Sequence, residues 1–310
     1  MDKKRILLVT FSQTGQTPAI AKSLLSSLNN EVILDHIVLE ANKPFPFPWT
    51  SLDFFSVMPD TVLEKELSLK PYSIPNSHYD LVILGWQPWF LSVNQPILQF
   101  LKDPQLAPIL KSTPLISFLG CRNMWVSANE KMKKHLAQLG VQHVGQLAMV
   151  NKSHNLISLI TILAWMLKGI KKNYLGIFPD AGIDASYFEK LPAVGAHIQG
   201  ALENKDWSGF QENINKMGFN EVKPALILME KTGSGNFIKI AKWIERAPNE
   251  QIRMKRIKQF SVFLPTMIVL LTPIISILRP IQVLLKKKQL KKEAEYIKSL
   301  TYEAGRFHKA

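Results

Sequence analysis

Ser12-Gln13-Thr14-Gly15-Gln16-Thr17 concentrates three hydroxyls, two side-chain amides and one glycine in a single short segment. It follows an apolar run at residues 5–11, rich in β-branched side chains, which reads as a buried strand. Pro18 suits the first turn of a helix with Thr17 as its N-cap, and Ile20, Leu24, Leu25 and Leu28 give that helix one apolar face. Strand, hydroxyl-rich turn and helix in that order aim backbone N–H groups, the hydroxyls of Ser12, Thr14 and Thr17, and the positive end of a helix dipole at one point. A phosphate fits there; the plainer reading is an N-capped turn between strand and helix. The absence of a Lys after Thr17 argues against a nucleoside-triphosphate loop, and the single Gly15 against a dinucleotide fingerprint.

The elements that must carry this turn follow from hydrophobic periodicity. Further strands are expected at 32–39, 81–84, 115–119 and 145–150, separated by helical stretches such as 95–102 and 128–139. Ser127 and Glu130 open the second of these helices as a capping box, and Gly140 stops it. Alternating strands and helices imply an α/β fold with a doubly wound parallel sheet.

Placed directly after the first strand, Ser12–Thr17 resembles the phosphate-binding loop of flavodoxin-like proteins, and the resemblance implies FMN as cofactor, held without metal or lysine. In a flavodoxin-like strand order the ligand sits where the order reverses, between the first and third strands. The loops there have suitable chemistry. Gly85-Trp86-Gln87-Pro88-Trp89-Phe90 offers flat rings and a tight turn. Gly120-Cys121-Arg122-Asn123-Met124-Trp125 offers positive charge from Arg122 for a reduced flavin and hydrogen bonds from Asn123. Trp89 and Trp125 are expected to face the cofactor, and Cys121 reads as a small buried hydrophobe. The cofactor-binding set is thus Ser12, Gln13, Thr14, Gly15, Gln16, Thr17, Gln87, Pro88, Trp89, Phe90, Gly120, Cys121, Arg122, Asn123 and Trp125.

More narrowly, the Ser12–Thr17 loop together with Gly120–Trp125 and Glu130 resembles the dialkylresorcinol condensing enzymes of bacterial dialkylresorcinol biosynthesis, flavodoxin-like aromatase partners of a ketosynthase. The resemblance implies oxidation of a 2,5-dialkylcyclohexane-1,3-dione to a resorcinol. Such chemistry needs a base near the ring, for which His154 and Tyr174 are the candidates, with Asp180 and Asp184 on the same later loop. The Gly-rich 232–236 segment reads as a loop. The rival classes are a membrane-bound NAD(P)H:quinone oxidoreductase, which shares flavin and greasy cleft, and a flavodoxin-like electron carrier, which would show an acidic docking face.

The 310 residues are enough for two domains or one with a large extension; 46% are apolar and 20% charged, which excludes wholesale disorder. The lone Cys121 excludes a disulfide framework and a Cys-rich metal site. The apolar run after the charged N-terminus is too short for a secretory signal, so a cytoplasmic setting is expected. Net charge is +14, and ten of those charges belong to residues 251–310, where 13 Lys/Arg face 3 Asp/Glu. Within that region residues 260–278 carry no charge and are bracketed by Arg253, Lys255, Arg256 and Lys258 before and Arg279, Lys286, Lys287 and Lys288 after. The stretch is long enough for one pass, but Pro265 and Pro273 interrupt it and both flanks are basic, as a re-entrant or interfacial helix requires. Beyond Pro280, Ile281, Leu284, Leu290, Ala294 and Ile297 recur at helical spacing among lysines, as on a basic amphipathic helix lying on anionic lipid. A buried core helix is the plainer alternative, and the bracketing pattern argues against nucleic acid. A second apolar run, 155–167, is too short to span and reads as a buried helix or one wall of a greasy cleft. The expected organisation is an FMN-binding domain over 1–150, a helical and loop region covering the active site over 151–250, and a membrane-associating tail over 251–310. A lipid-like substrate and the cytoplasmic face of the inner membrane are the expected partners.

Overall fold

The computed structural model describes residues 3–28 and 32–306, and the backbone alone at 269 and 272–279. Five apolar segments form the central sheet: β1 (Lys4–Thr10), β2 (Val32–Val38), β3 (Leu81–Trp86), β6 (Leu115–Cys121) and β7 (His143–Val150). Their order is β2-β1-β3-β6-β7, and each pairing is parallel. The central strands β3 and β6 are buried along their whole length, which is why they read as continuous apolar runs rather than alternating ones. A small antiparallel hairpin, β4 (Pro88–Trp89) and β5 (Ser92–Val93), follows β3 at its carboxyl end.

Helices α1 (Gln16–Leu24), α2 (Ser51–Val62), α3 (Gln95–Leu101), α4 (Ala107–Ser112) and α5 (Val126–Gln138) belong to this half. After β7 the chain is helical: α6 (Asn155–Lys168), α7 (Ser186–Asn204), α8 (Phe210–Lys216), α9 (Pro224–Glu245), α10 (Glu250–Leu285) and α11 (Lys287–Lys298). The main core joins both halves, since Tyr187, Leu191 and Ile198 of α7 and Leu290 and Ile297 of α11 share it with the sheet. A second apolar cluster joins Phe55, Met58 and Val62 of α2 to Ala241 and Ile244 of α9 and to Ile257 and Phe260 of α10.

Three local expectations are corrected. Helix α5 begins at Val126, and the carboxylate that receives the N–H of Ser127 (2.9 Å) is Glu230 of α9, whereas Glu130 accepts the phenol O–H of Tyr296 at 2.8 Å. A distant carboxylate has taken the capping role. Residues 232–236 are not a loop but lie inside α9, where a Cβ on Gly233 would come within 3.2 Å of Leu91. Prolines 265, 273 and 280 do not break α10, which is continuous over 36 residues; at spacings of seven and eight, whole hydrogen-bonded turns remain between them. Among the described residues no helix is long and apolar enough to cross a membrane.

Candidate functional site

The Ser12–Thr17 turn lies at the carboxyl end of β1, beside β3 and two strands from β6. Gly15 takes φ 77°, a left-handed conformation that reverses the chain into α1 and is open to glycine without strain. Gly15, not Thr17, is therefore the residue that enters the helix, and it has no side chain to cap it. Ser12 Oγ accepts the N–H of Thr17 (3.4 Å), while the amides of Gln13, Thr14, Gly15 and Gln16 donate to no protein acceptor among the described residues. Four successive free N–H groups at the start of a nine-residue helix form a concave anion nest.

The surrounding side chains brace this nest. Gln87 donates to Thr17 Oγ1 at 2.8 Å, so the Thr17 hydroxyl, 1% exposed, holds the β3 loop to the turn. Gln13 donates to the carbonyls of Phe45 (3.3 Å) and Pro46 (2.7 Å), fixing the 41–50 segment beside it. Gln16 accepts the N–H of Ile183 at 2.9 Å and lies so close to Gly120 that a Cβ there would sit 2.6 Å from Gln16 Nε2. Asn151 donates to the carbonyl of Gly182 at 2.7 Å, tying the 181–184 loop over the sheet edge. Thr14 is half-buried, and its hydroxyl meets no protein partner among the described residues.

Close to the turn is a packed aromatic cluster. Trp89 meets Phe11 (centroids 5.5 Å), Phe45 (5.0 Å) and Trp49 (5.8 Å), all edge to face. Phe45 and Trp49 come from a Pro-rich loop after β2, and the indole N–H of buried Trp49 meets no acceptor among the described residues. Phe90 and Leu91 form the hairpin turn at φ 47° and 59°, a costly conformation for residues with a Cβ. Phe90 is held there by Phe54 (5.0 Å) and Phe237 (6.1 Å).

The β6 loop behaves differently from its expectation. Trp125 is 1% exposed and donates its indole N–H to the carbonyl of Glu221 (3.3 Å), so it is a core residue rather than an open ring. Arg122 donates to the carbonyl of Asn155 (3.0 Å) and lies against Met124 Sδ (2.8 Å); burial lowers its pKa to about 10. Asn123 Nδ2 donates to Ser158 Oγ (3.4 Å), leaving Asn123 Oδ1 buried without a partner among the described residues, as is Asn155 Oδ1. Burial raises the Cys121 thiol well above its ordinary range, with Glu230 adding to the effect; the thiol is an inert packing group.

Of the base candidates, His154 is exposed and accepts the N–H of Leu156 through Nδ1 (3.4 Å) as N-cap of α6. Tyr174 sits in a short 3-10 turn, its hydroxyl accepting from Lys168 Nζ (2.8 Å). Asp184 accepts from Ser186, and Asp180 from the N–H of Asn173. Each of the four is engaged in local structure. The buried carboxyl at the site's back is instead Glu230, 0% exposed, with Oε1 meeting no partner among the described residues; burial pushes its pKa up to about 8 against the opposing pull of the Ser127 N–H and Arg122. No spacing in the sequence singled it out, because its partners lie about a hundred residues away. Among the described residues no metal-ligating cluster occurs.

Helix α6 presents its small and polar residues, Ser158, Thr161 and Ala164, inward with Trp165, while its larger aliphatic residues are half-exposed. Trp165 approaches Gly182, where a Cβ would be 3.2 Å from its ring. The apolar run is therefore neither a fully buried helix nor a bilayer span.

Strand order 2-1-3-4-5 among the five sheet strands, with an anion nest at the switch point, defines a flavodoxin-like α/β protein. No family model and no curated protein matches the chain. Among solved structures it is similar to a flavoprotein of Lactobacillus acidophilus in complex with FMN, at 18% identity over 47% of this chain and 93% of that one (TM-score 0.36). It is also similar to Bacteroides proteins assigned as flavoproteins, from B. eggerthii (17% identity, 47% and 87% of the two chains, TM-score 0.37) and B. uniformis (16%, 54% and 99%, TM-score 0.36).

Proposed function

We propose that this chain is an FMN-dependent oxidoreductase acting on a lipid-like cyclic dione, a 2,5-dialkylcyclohexane-1,3-dione that leaves as a dialkylresorcinol. The observation that carries the cofactor is the nest of four unpaired amides beside the Thr14 hydroxyl. It suits a phosphate monoester dianion held without lysine or metal. Asn123 Oδ1 on the β6 loop and Asn155 Oδ1 at the start of α6, both buried without a protein partner among the described residues, are acceptors a ligand N–H would satisfy. Ser12–Thr17 would hold the phosphate and Trp89 with Trp49 would flank the ring system. FMN, when bound, supplies the two-electron acceptor for such an oxidation.

The substrate class draws on the resemblance to the dialkylresorcinol condensing enzymes and on the half-exposed aliphatic face of α6 beside the site. Such a dione loses one proton and one hydride in becoming aromatic, and the chain must exclude water and accept the proton. The test is the absorbance spectrum of purified protein, repeated anaerobically with a dialkylcyclohexanedione and separately with NADPH. Yellow protein bleached by the dione supports the reading; bleaching by NADPH alone points to the quinone reductase. Colourless protein that takes up no added FMN removes the flavin reading altogether.

A further inference from the structure

The uncharged part of α10 lies between two anchors on the same body. At its start, Ile257 is 0% and Phe260 2% exposed, in the cluster formed with α2 and α9, with Leu264 packed against it. Past its end, Leu290 is 2% exposed in the main core, and α11 is held by Lys133, which donates to the carbonyls of Tyr296 (3.1 Å) and Ile297 (3.2 Å). Leu285 is five residues from Leu290, within about 17 Å of the body even for extended chain. With both ends fastened to one protein body, the uncharged part of α10 runs alongside that body instead of leaving it to cross a bilayer.

Among its described side chains, the face of α10 turned from the body is apolar and open. Val262 is 68% exposed, Phe263 52%, Leu270 60%, Ile281 55% and Leu285 80%. Phe263, Leu270 and Ile281 are spaced seven and eleven residues apart, whole numbers of helical turns, so they share one stripe. A shallow groove beside Val262 and Phe263 is edged by Lys255 and Lys258. At the other end Lys286, Lys287, Lys288, Lys291 and Lys292 are exposed. In α11 the face expected to rest on lipid, Leu290 and Ile297, is packed on the protein instead, and the lysines are what it shows to solvent.

We propose that α10 lies in the plane of an anionic phospholipid bilayer, its 263–270–281 stripe in the acyl region and the two lysine groups on lipid phosphates. The occupant is argued from charge: cations at both ends of one apolar stripe complement an anionic interface, whereas a second copy of this chain would bring like charges together. This surface does not depend on the flavin reading, and its test is read with and without FMN.

The test is co-sedimentation of the full chain with vesicles of phosphatidylcholine alone or with about a third phosphatidylglycerol, with Phe263→Glu/Leu270→Glu compared against wild type. Circular dichroism checks folding, and a second variant, Lys286→Gln/Lys287→Gln/Lys288→Gln, leaves the apolar stripe intact. Wild type should bind the anionic vesicles, the glutamate variant at least about tenfold more weakly, and the glutamine variant with a reduced salt dependence. Folded wild type that binds neither vesicle overturns the proposal. So does a wild-type dimer that the glutamate variant dissolves with no change in vesicle binding, and so does protease protection of the chain beyond 286 by sealed vesicles.

Discussion

Relative to Glu230→Gln, the wild type should lose stability as pH rises from 4.5 to about 8. In the folded chain the carboxyl is 0% exposed and burial moves its pKa from 4.5 to about 8. The folded state therefore holds a proton that the unfolded state has released across that window, and stability falls as pH rises through it. Above pH 8 both states are ionised and the slope ends. At about 1.4 kcal/mol per pH unit the whole window amounts to on the order of 5 kcal/mol. His143 works in the opposite sense: burial lowers its pKa to about 3, so it adds stability as pH rises from about 3 to its ordinary 6.5. The difference between wild type and Glu230→Gln cancels that contribution. Gln keeps a carbonyl for the N–H of Ser127, so the variant should fold at pH 5 and gain on wild type at pH 8. Urea unfolding of both proteins at half-unit steps from pH 4.5 to 9 measures it. A difference that stays flat over the window would refute the buried, proton-holding carboxyl.

Thr14→Ala should weaken FMN binding about tenfold, the value of one charge-assisted hydrogen bond, in a fluorescence titration; unchanged affinity would remove the loop from the phosphate site. Gly195→Ala should cost about 3 kcal/mol or more in thermal unfolding, because its Cβ would overlap the carbonyl of Leu24 and Ser27 Oγ where α7 crosses α1. Lys133, whose pKa burial lowers to about 8, is neutral in the folded state above that value while the unfolded chain stays charged to its ordinary 10.5. Stability should therefore rise from pH 8 to 10.5, and Lys133→Met should flatten that rise in the same urea series.

Much of the sheet and its loop could be read from the chain, for a local reason. Four of the five main-sheet strands, β1, β3, β6 and β7, are largely apolar runs that can be recognised from a few consecutive residues, and the turn at 12–17 carries its own chemistry. What escaped reading depends on side chains meeting across long separations. Ser127 and Glu130 have capping-box spacing, yet Glu230 occupies the N-terminus of α5 from 103 residues away. Thr17 resembles an N-cap, yet its hydroxyl serves Gln87. The 232–236 glycines look like a turn; in the fold Gly233 makes room for Leu91 at a strained hairpin. The cluster around Trp89 draws on Phe45 and Trp49, whose only sequence signal was a Pro-aromatic alternation at 44–49.

The bond from Lys133 to the carbonyl of Tyr296 closes a loop of 163 residues. At about 5–20 residues per second, a ribosome needs roughly 8–33 s to deliver the second partner after the first. Throughout that interval α5 has its ammonium group but not its acceptors, and the long apolar helix emerges before the element that fastens its far end. Order of synthesis thus lets α10 meet whatever apolar phase is nearby ahead of final closure, and makes docking of α11 the slow, high-contact-order step of folding.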